Sequence, residues 1–214
     1  VSKLAEIELA DQPCLVLRPR GARAMYVLAH GAGAGMRHDF MVGIAEQLAE
    51  RGIATLRYEF PYLRAGRTIP GKPELAEANV RAICAAVAKR YPSLPRFAGG
   101  KSYGARMTSR AHAARPLPGV RGLIFLGYPL HPPEKPGIER GEHLRTAPGP
   151  MLFLTGSRDE LASLELLRPV VEQLGSRAEL AVVQGADHGF TRPKAALATL
   201  ADHATAWIDR NLDS

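Results

Sequence analysis

Ser102 stands between two glycines in the run Arg96-Phe97-Ala98-Gly99-Gly100-Lys101-Ser102-Tyr103-Gly104-Ala105-Arg106-Met107. An apolar segment leads in and helix-forming residues lead out. This is G-x-S-x-G in a strand, sharp turn, helix context, which lifts a serine hydroxyl off the end of a sheet. So tight a turn strains its central residue and brings strand and helix together, so the positions two before and two after tolerate little more than a hydrogen atom. The letters Gly100-Lys101-Ser102 also end the phosphate-loop pattern G-x-x-x-x-G-K-[ST]. That pattern needs a glycine at position 95, and Pro95 is there instead, so the loop cannot fold its amides around phosphates. A Gly-Ser-Gly turn without chemistry is the remaining reading, and the partners of Ser102 decide against it.

An unassisted serine hydroxyl is a poor nucleophile at neutral pH, so a histidine must take its proton and later return it to the leaving group. His188, in the loop Gln184 to Phe190, is the candidate base. A carboxylate must hold the other ring nitrogen in the right tautomer, and Asp159, in Gly156-Ser157-Arg158-Asp159, is the candidate. Glu160 would point elsewhere along a turning chain, and Asp187 precedes His188 too closely to align with its ring. The order Ser, acid, His is the one expected of a hydrolase built on a nucleophile elbow. The tetrahedral oxyanion needs fixed amides. One should be that of Tyr103, at the amino end of a helix, and the other that of Ala32 or Gly33 in His30-Gly31-Ala32-Gly33-Ala34-Gly35. Lys101, Arg106 and His131 are candidates for lining the substrate site. Lys101 reads otherwise as a solvated rim charge. Tyr62, Arg64 and Arg67 fall in a loop that would line the mouth and favour an acidic substrate, unless it is an ordinary charged loop.

Positioning such groups takes a sheet whose strand ends share one edge. Glu6–Leu9 and Cys14–Leu17 flank a polar turn at 10–13 and predict two antiparallel edge strands. Short buried strands follow at 25–29, 53–58, 96–100, 122–126, 151–154 and 180–183, with helical periodicity between them except from 131 to 150, which is rich in Pro, Gly and charge. Pro169 is awkward inside the helix traced by Leu164, Leu167, Val171 and Leu174 unless that helix kinks or starts late. Alternating strands and helices call for a mostly parallel sheet with helices on both faces, and residues at its carboxyl edge meet. The segment from His131 to Pro150 is too short for a lid domain, which leaves the site open to solvent.

The 214 residues suit one domain, 1–214, and 46% hydrophobic with 23% charged residues excludes disordered and fibrous classes. No apolar run reaches membrane-spanning length and no signal-peptide core follows the first residues, so a cytoplasmic protein with no membrane association is expected. Cys14 and Cys84 read as buried thiols, and seven scattered histidines give no metal-ligand spacing. Neither metal nor cofactor is expected. The net charge of +7 is spread along the chain without aromatic-basic interleaving, which argues against a nucleic-acid partner.

On His30-Gly31-Ala32-Gly33, Gly100-Lys101-Ser102-Tyr103-Gly104, Gly156-Ser157-Arg158-Asp159 and Gly185-Ala186-Asp187-His188 the chain resembles the alpha/beta-hydrolase superfamily. Gly99 to Arg106, the loop after His30 and Phe60-Pro61-Tyr62 further resemble its small lidless testis-expressed-30 and KAT8 regulatory complex subunit 3 type, close to dienelactone-hydrolase-like proteins. The resemblance implies an eight-stranded sheet without a separate lid and a triad of Ser102, Asp159 and His188. True dienelactone hydrolases carry a cysteine where Ser102 stands. The expected function is a cofactor-free serine hydrolase of carboxylesterase or thioesterase type, cleaving a small soluble ester. The competing expectation is a non-catalytic interaction module on the same fold.

Overall fold

The computed structural model describes residues 3–212. β1 (Lys3–Leu9) and β2 (Gln12–Arg18) form a hairpin in which only Ala10 and Asp11 turn, both at positive φ, 50° and 55°. Such a turn matches the twist of paired strands. Gln12 and Pro13, expected in the turn, belong to β2. Gln12 is pulled inward, where its side-chain amide donates to Asn79 Oδ1 at 2.9 Å. β2 is also no edge strand, because it lies between β1 and β4.

Strands and helices then alternate through β3 (Ala24–Ala29), α1 (Asp39–Glu50), β4 (Ile53–Tyr58), the single turn α2 (Pro61–Arg64), α3 (Pro73–Arg90), β5 (Arg96–Lys101) and α4 (Tyr103–Ala114). β6 (Val120–Leu126), a 3-10 segment at Glu139–Arg145, β7 (Met151–Arg158), α5 (Leu164–Gln173), β8 (Ala178–Asp187) and α6 (Ala196–Arg210) complete the order. Pro169 lies inside α5, which starts at Leu164, so the Glu165 carbonyl has no helical donor.

The sheet has eight strands in the order β1-β2-β4-β3-β5-β6-β7-β8. β2 runs against both its neighbours, and every pair from β4 onward is parallel. Alternation along each strand feeds two cores. In β3, Met25, Val27 and Ala29 face α3, α4 and α5, whereas Ala24, Tyr26 and Leu28 face α1 and α6. Burial on both faces explains the continuous apolar runs. Cys14 and Cys84 are free and buried, and desolvation raises their thiols to about 11 and about 12. The fold has no separate lid. Among the described residues no helix is long and apolar enough to cross a membrane.

β7 and β8 outrun the apolar segments that announce them, ending at Arg158 and Asp187. Beyond a register irregularity, Arg158 pairs with Asp187, which sets the residues after them, Asp159 and His188, side by side. Gly156 permits this, since a Cβ there would collide with the Ala186 carbonyl.

Candidate active site

Ser102 sits at the junction of β5 and α4 with φ 50° and ψ −114°, a conformation unfavourable for any side-chain-bearing residue. The surroundings impose it. A Cβ on Gly100 would strike the Ala29 carbonyl, and one on Gly104 would lie 2.6 Å from Ala29 O and 2.7 Å from His30 O. The Ser102 amide is anchored to Leu126 O at 3.1 Å, and the helix takes hold at once through Arg106 N–H to Ser102 O at 3.2 Å. The steric account of the motif therefore holds atom by atom.

Ser102 Oγ lies 2.8 Å from His188 Nε2, and His188 Nδ1 lies 2.9 Å from both carboxylate oxygens of Asp159. Nδ1–H therefore donates to Asp159 and leaves Nε2 to accept from the serine hydroxyl. Asp159 is 4% exposed, and its Oδ1 also accepts from the Leu161 amide at 2.9 Å, which fixes its orientation. Neither competing acid reaches the ring. Glu160 is exposed, and Asp187 accepts from the Thr191 hydroxyl at 2.8 Å and from its amide at 3.2 Å. Burial raises the Asp187 pKa, but the bonds from Thr191, Phe190 and Gly189 outweigh it and leave it lowered.

The loop after β3 passes close to the nucleophile, with a Cβ built on Gly31 3.7 Å from Ser102 Cβ. Of its two candidate amides, that of Gly33 donates to Tyr62 Oη at 3.2 Å. The Ala32 amide, like that of Tyr103, has no acceptor among the described residues, and both residues line the cleft beside Ser102. His30 braces the loop from below. It is fully buried, its Nδ1–H donates to Gly31 O at 2.7 Å and its Nε2 accepts from Phe60 N–H at 3.0 Å. Burial lowers its pKa despite Glu59 Oε2 3.5 Å away, so the ring is neutral and this contact is not an ion pair.

Lys101 corrects the expectation of a solvated rim charge or a substrate contact. It is 8% exposed, its Nζ donates to the His188 carbonyl at 2.5 Å, and it lies over the rings of Phe40 and Phe190. An ammonium held this way also cannot serve a phosphate. Arg64 does not line the mouth either, because its guanidinium turns back to Asn79 Oδ1 at 3.2 Å. His131 is drawn into its own loop, 4% exposed, with Nδ1 2.9 Å from Pro132 O, and is absent from the cleft wall. Arg106 does line the cleft. Tyr62 and Arg67 line an adjoining hollow that shares Tyr103 with it.

Two residues escaped the sequence reading. Gly127, just beyond β6, has φ 66°, and a Cβ there would stand 3.0 Å from Lys101 Nζ and 3.4 Å from His188 Cε1. A glycine closing a buried strand on the same edge as Ser102 was the available signal. Arg140 reaches the cleft from the 3-10 segment, and nothing in its local sequence announces it.

A family model described as an alpha/beta hydrolase domain matches residues 22–213. Similar solved structures include a dienelactone hydrolase from Anabaena variabilis, 21% identical with a TM-score of 0.80, covering 99% of this chain and 98% of that one. A Thermus thermophilus protein is 22% identical with a TM-score of 0.78 over 100% of this chain and 99% of its own. A Xanthomonas campestris serine hydrolase without a lid is 20% identical with a TM-score of 0.73 over 100% and 96%. At these identities the likeness is one of fold. A Mycobacterium tuberculosis protein named as a candidate phosphoribosyl transferase is 29% identical over 179 residues, 82% of this chain. The chain spans 38% of the length of that curated relative.

Proposed function

The chain belongs to the alpha/beta hydrolase domain family, and on that premise we propose that it is a serine hydrolase cleaving a small ester or thioester through an acyl-enzyme on Ser102. The observation that carries this reading is the unbroken hydrogen-bonded chain from Asp159 through His188 to Ser102, at 2.9 and 2.8 Å. Ser102 Oγ attacks the ester carbonyl carbon as His188 Nε2 takes its proton. Asp159 stays ionised and stabilises the imidazolium. The oxyanion is received by the amides of Tyr103 and Ala32, each such donor contributing ~2.7 to 4 kcal/mol of transition-state stabilisation. His188 returns the proton to the leaving alcohol or thiol. Water, activated by the same nitrogen, then releases the acid and restores Ser102.

Fluorophosphonate labelling tests the proposal. The wild-type protein is expected to be labelled at Ser102, and Ser102→Ala and His188→Ala to lose the label. A folded wild-type protein that takes no label, and turns over none of a panel of short acyl esters, overturns it and leaves the interaction-module reading.

A further inference from the structure

We propose that the substrate carries an anionic group, a carboxylate or a phosphate, bound by Arg106 and Arg140 in the cleft beside Ser102. This rests on the serine hydrolase reading above and adds the class of substrate to it. The cleft, about 330 Å³, is walled by Ala32, Ser102, Tyr103, Arg106, Arg140 and Leu161. Neither it nor the adjoining hollow includes an acidic side chain.

Elsewhere, some of the surface arginines have a carboxylate. Arg23 pairs with Asp209, Arg51 with Asp202, Arg110 with Glu77 and Arg210 with Glu179. Among the described residues Arg106 and Arg140 have none within 4.0 Å, and neither guanidinium makes a hydrogen bond. Arg106 Nε is buried without a partner. The two cations also sense each other, because Arg140 is held below its ordinary pKa first by burial and then by the charge of Arg106. Two like charges brought together in a partly desolvated cleft are disfavoured until an anion joins them. Guanidinium groups suit carboxylate and phosphate because their planar donors match two oxygens at once. The distance to the chemistry is short. Arg106 is one helical turn beyond Ser102, so an anion held there belongs to the molecule whose carbonyl Ser102 attacks.

Paired substrates test this. The probes are 4-nitrophenyl acetate, its counterpart with a free carboxylate on the acyl group, mono-4-nitrophenyl succinate, and 4-acetoxybenzoate, which carries the charge on the leaving group. Wild type is expected to favour at least one anionic ester over the acetate. The anionic-to-neutral ratio of kcat/KM should fall about ten-fold or more in Arg106→Gln and in Arg140→Gln, with part of it restored in Arg106→Lys. Arg20→Gln, at the opposite end of the sheet, should keep the wild-type ratio. Stronger competition by inorganic phosphate than by succinate assigns a phosphate, and the reverse assigns a carboxylate. A ratio unchanged in both glutamine variants overturns the proposal. Failure of the hydrolase reading is distinguishable, as a wild-type protein that takes no fluorophosphonate and turns over no ester. Calorimetry then reads the subsite alone: succinate or phosphate should bind wild type and not the Arg106→Gln Arg140→Gln double variant, and equal binding to both overturns it.

Discussion

The Lys101 ammonium donates to the backbone carbonyl of His188 across 87 positions of sequence. The residue just before the nucleophile therefore holds the turn that carries the proposed base. Strand β5 fixes the origin of Lys101, Phe40 and Phe190 flank its cation, and the carbonyl fixes its tip.

Removing that amine should show in both stability and rate. Burial pushes the Lys101 pKa from 10.5 down to about 8, against the opposing pull of Asp159 and Asp187. The folded value lies below the unfolded one, so between about 8 and 10.5 the unfolded chain holds a proton that the folded chain has shed, and stability rises with pH. Below about 8 both states hold it and the cost of burying the charge is constant. Urea unfolding from pH 7 to 10.5 should show wild type gaining roughly 3 kcal/mol relative to Lys101→Met. Parallel curves for the two proteins would contradict this. The same variant should lose about ten-fold in kcat with little change in KM, since it loosens the base and not the cleft.

At the elbow, Gly104→Ala and Gly31→Ala should behave oppositely. A methyl at 104 meets backbone carbonyls at 2.6 and 2.7 Å that cannot retreat without moving β3. The expected cost is a Tm lowered by about 10 °C or more, or failure to fold. At Gly31 the nearest atoms are 3.6 to 3.7 Å away, an ordinary contact, so Tm should stay within about 2 °C of wild type. Differential scanning calorimetry of the pair checks both.

Asp159→Asn should leave the fold intact and lower kcat by roughly 10⁴, because an amide no longer selects the tautomer with the proton on Nδ1. Asp187→Asn, which weakens the bonds from Thr191, Phe190 and Gly189 but leaves the Asp159–His188 pair in place, should cost about 1 kcal/mol of stability and far less in rate. Equal kinetic losses in the two variants would mean that the wrong carboxylate has been matched to His188.

Tyr62→Phe removes the acceptor of the Gly33 amide. The lost bond should lower stability by about 0.5 to 1.5 kcal/mol, and kcat should fall a few-fold as the loop beside Ser102 loses its tether. Unaltered Tm and kcat would show that the loop is held by His30 alone.

The sequence by itself determined the parallel sheet, the elbow and the identity of the three hydrogen-bonded residues. Short apolar strands impose burial on both faces, and the glycines around Ser102 answer a local steric demand that reaches only a few residues along the chain. The order of strand-end loops then left few candidates for base and acid. What only the tertiary structure decided lies in pairings across the fold. The choice of Ala32 over Gly33 as the free amide depends on where Tyr62 Oη falls, and the role of Lys101 depends on a carbonyl 87 residues away. Arg140 enters the cleft from a segment with no periodic signal, and Arg64 leaves the mouth for Asn79. A long cationic side chain can swing to any partner within its reach, and nothing in its neighbours along the chain says which one packing will bring there.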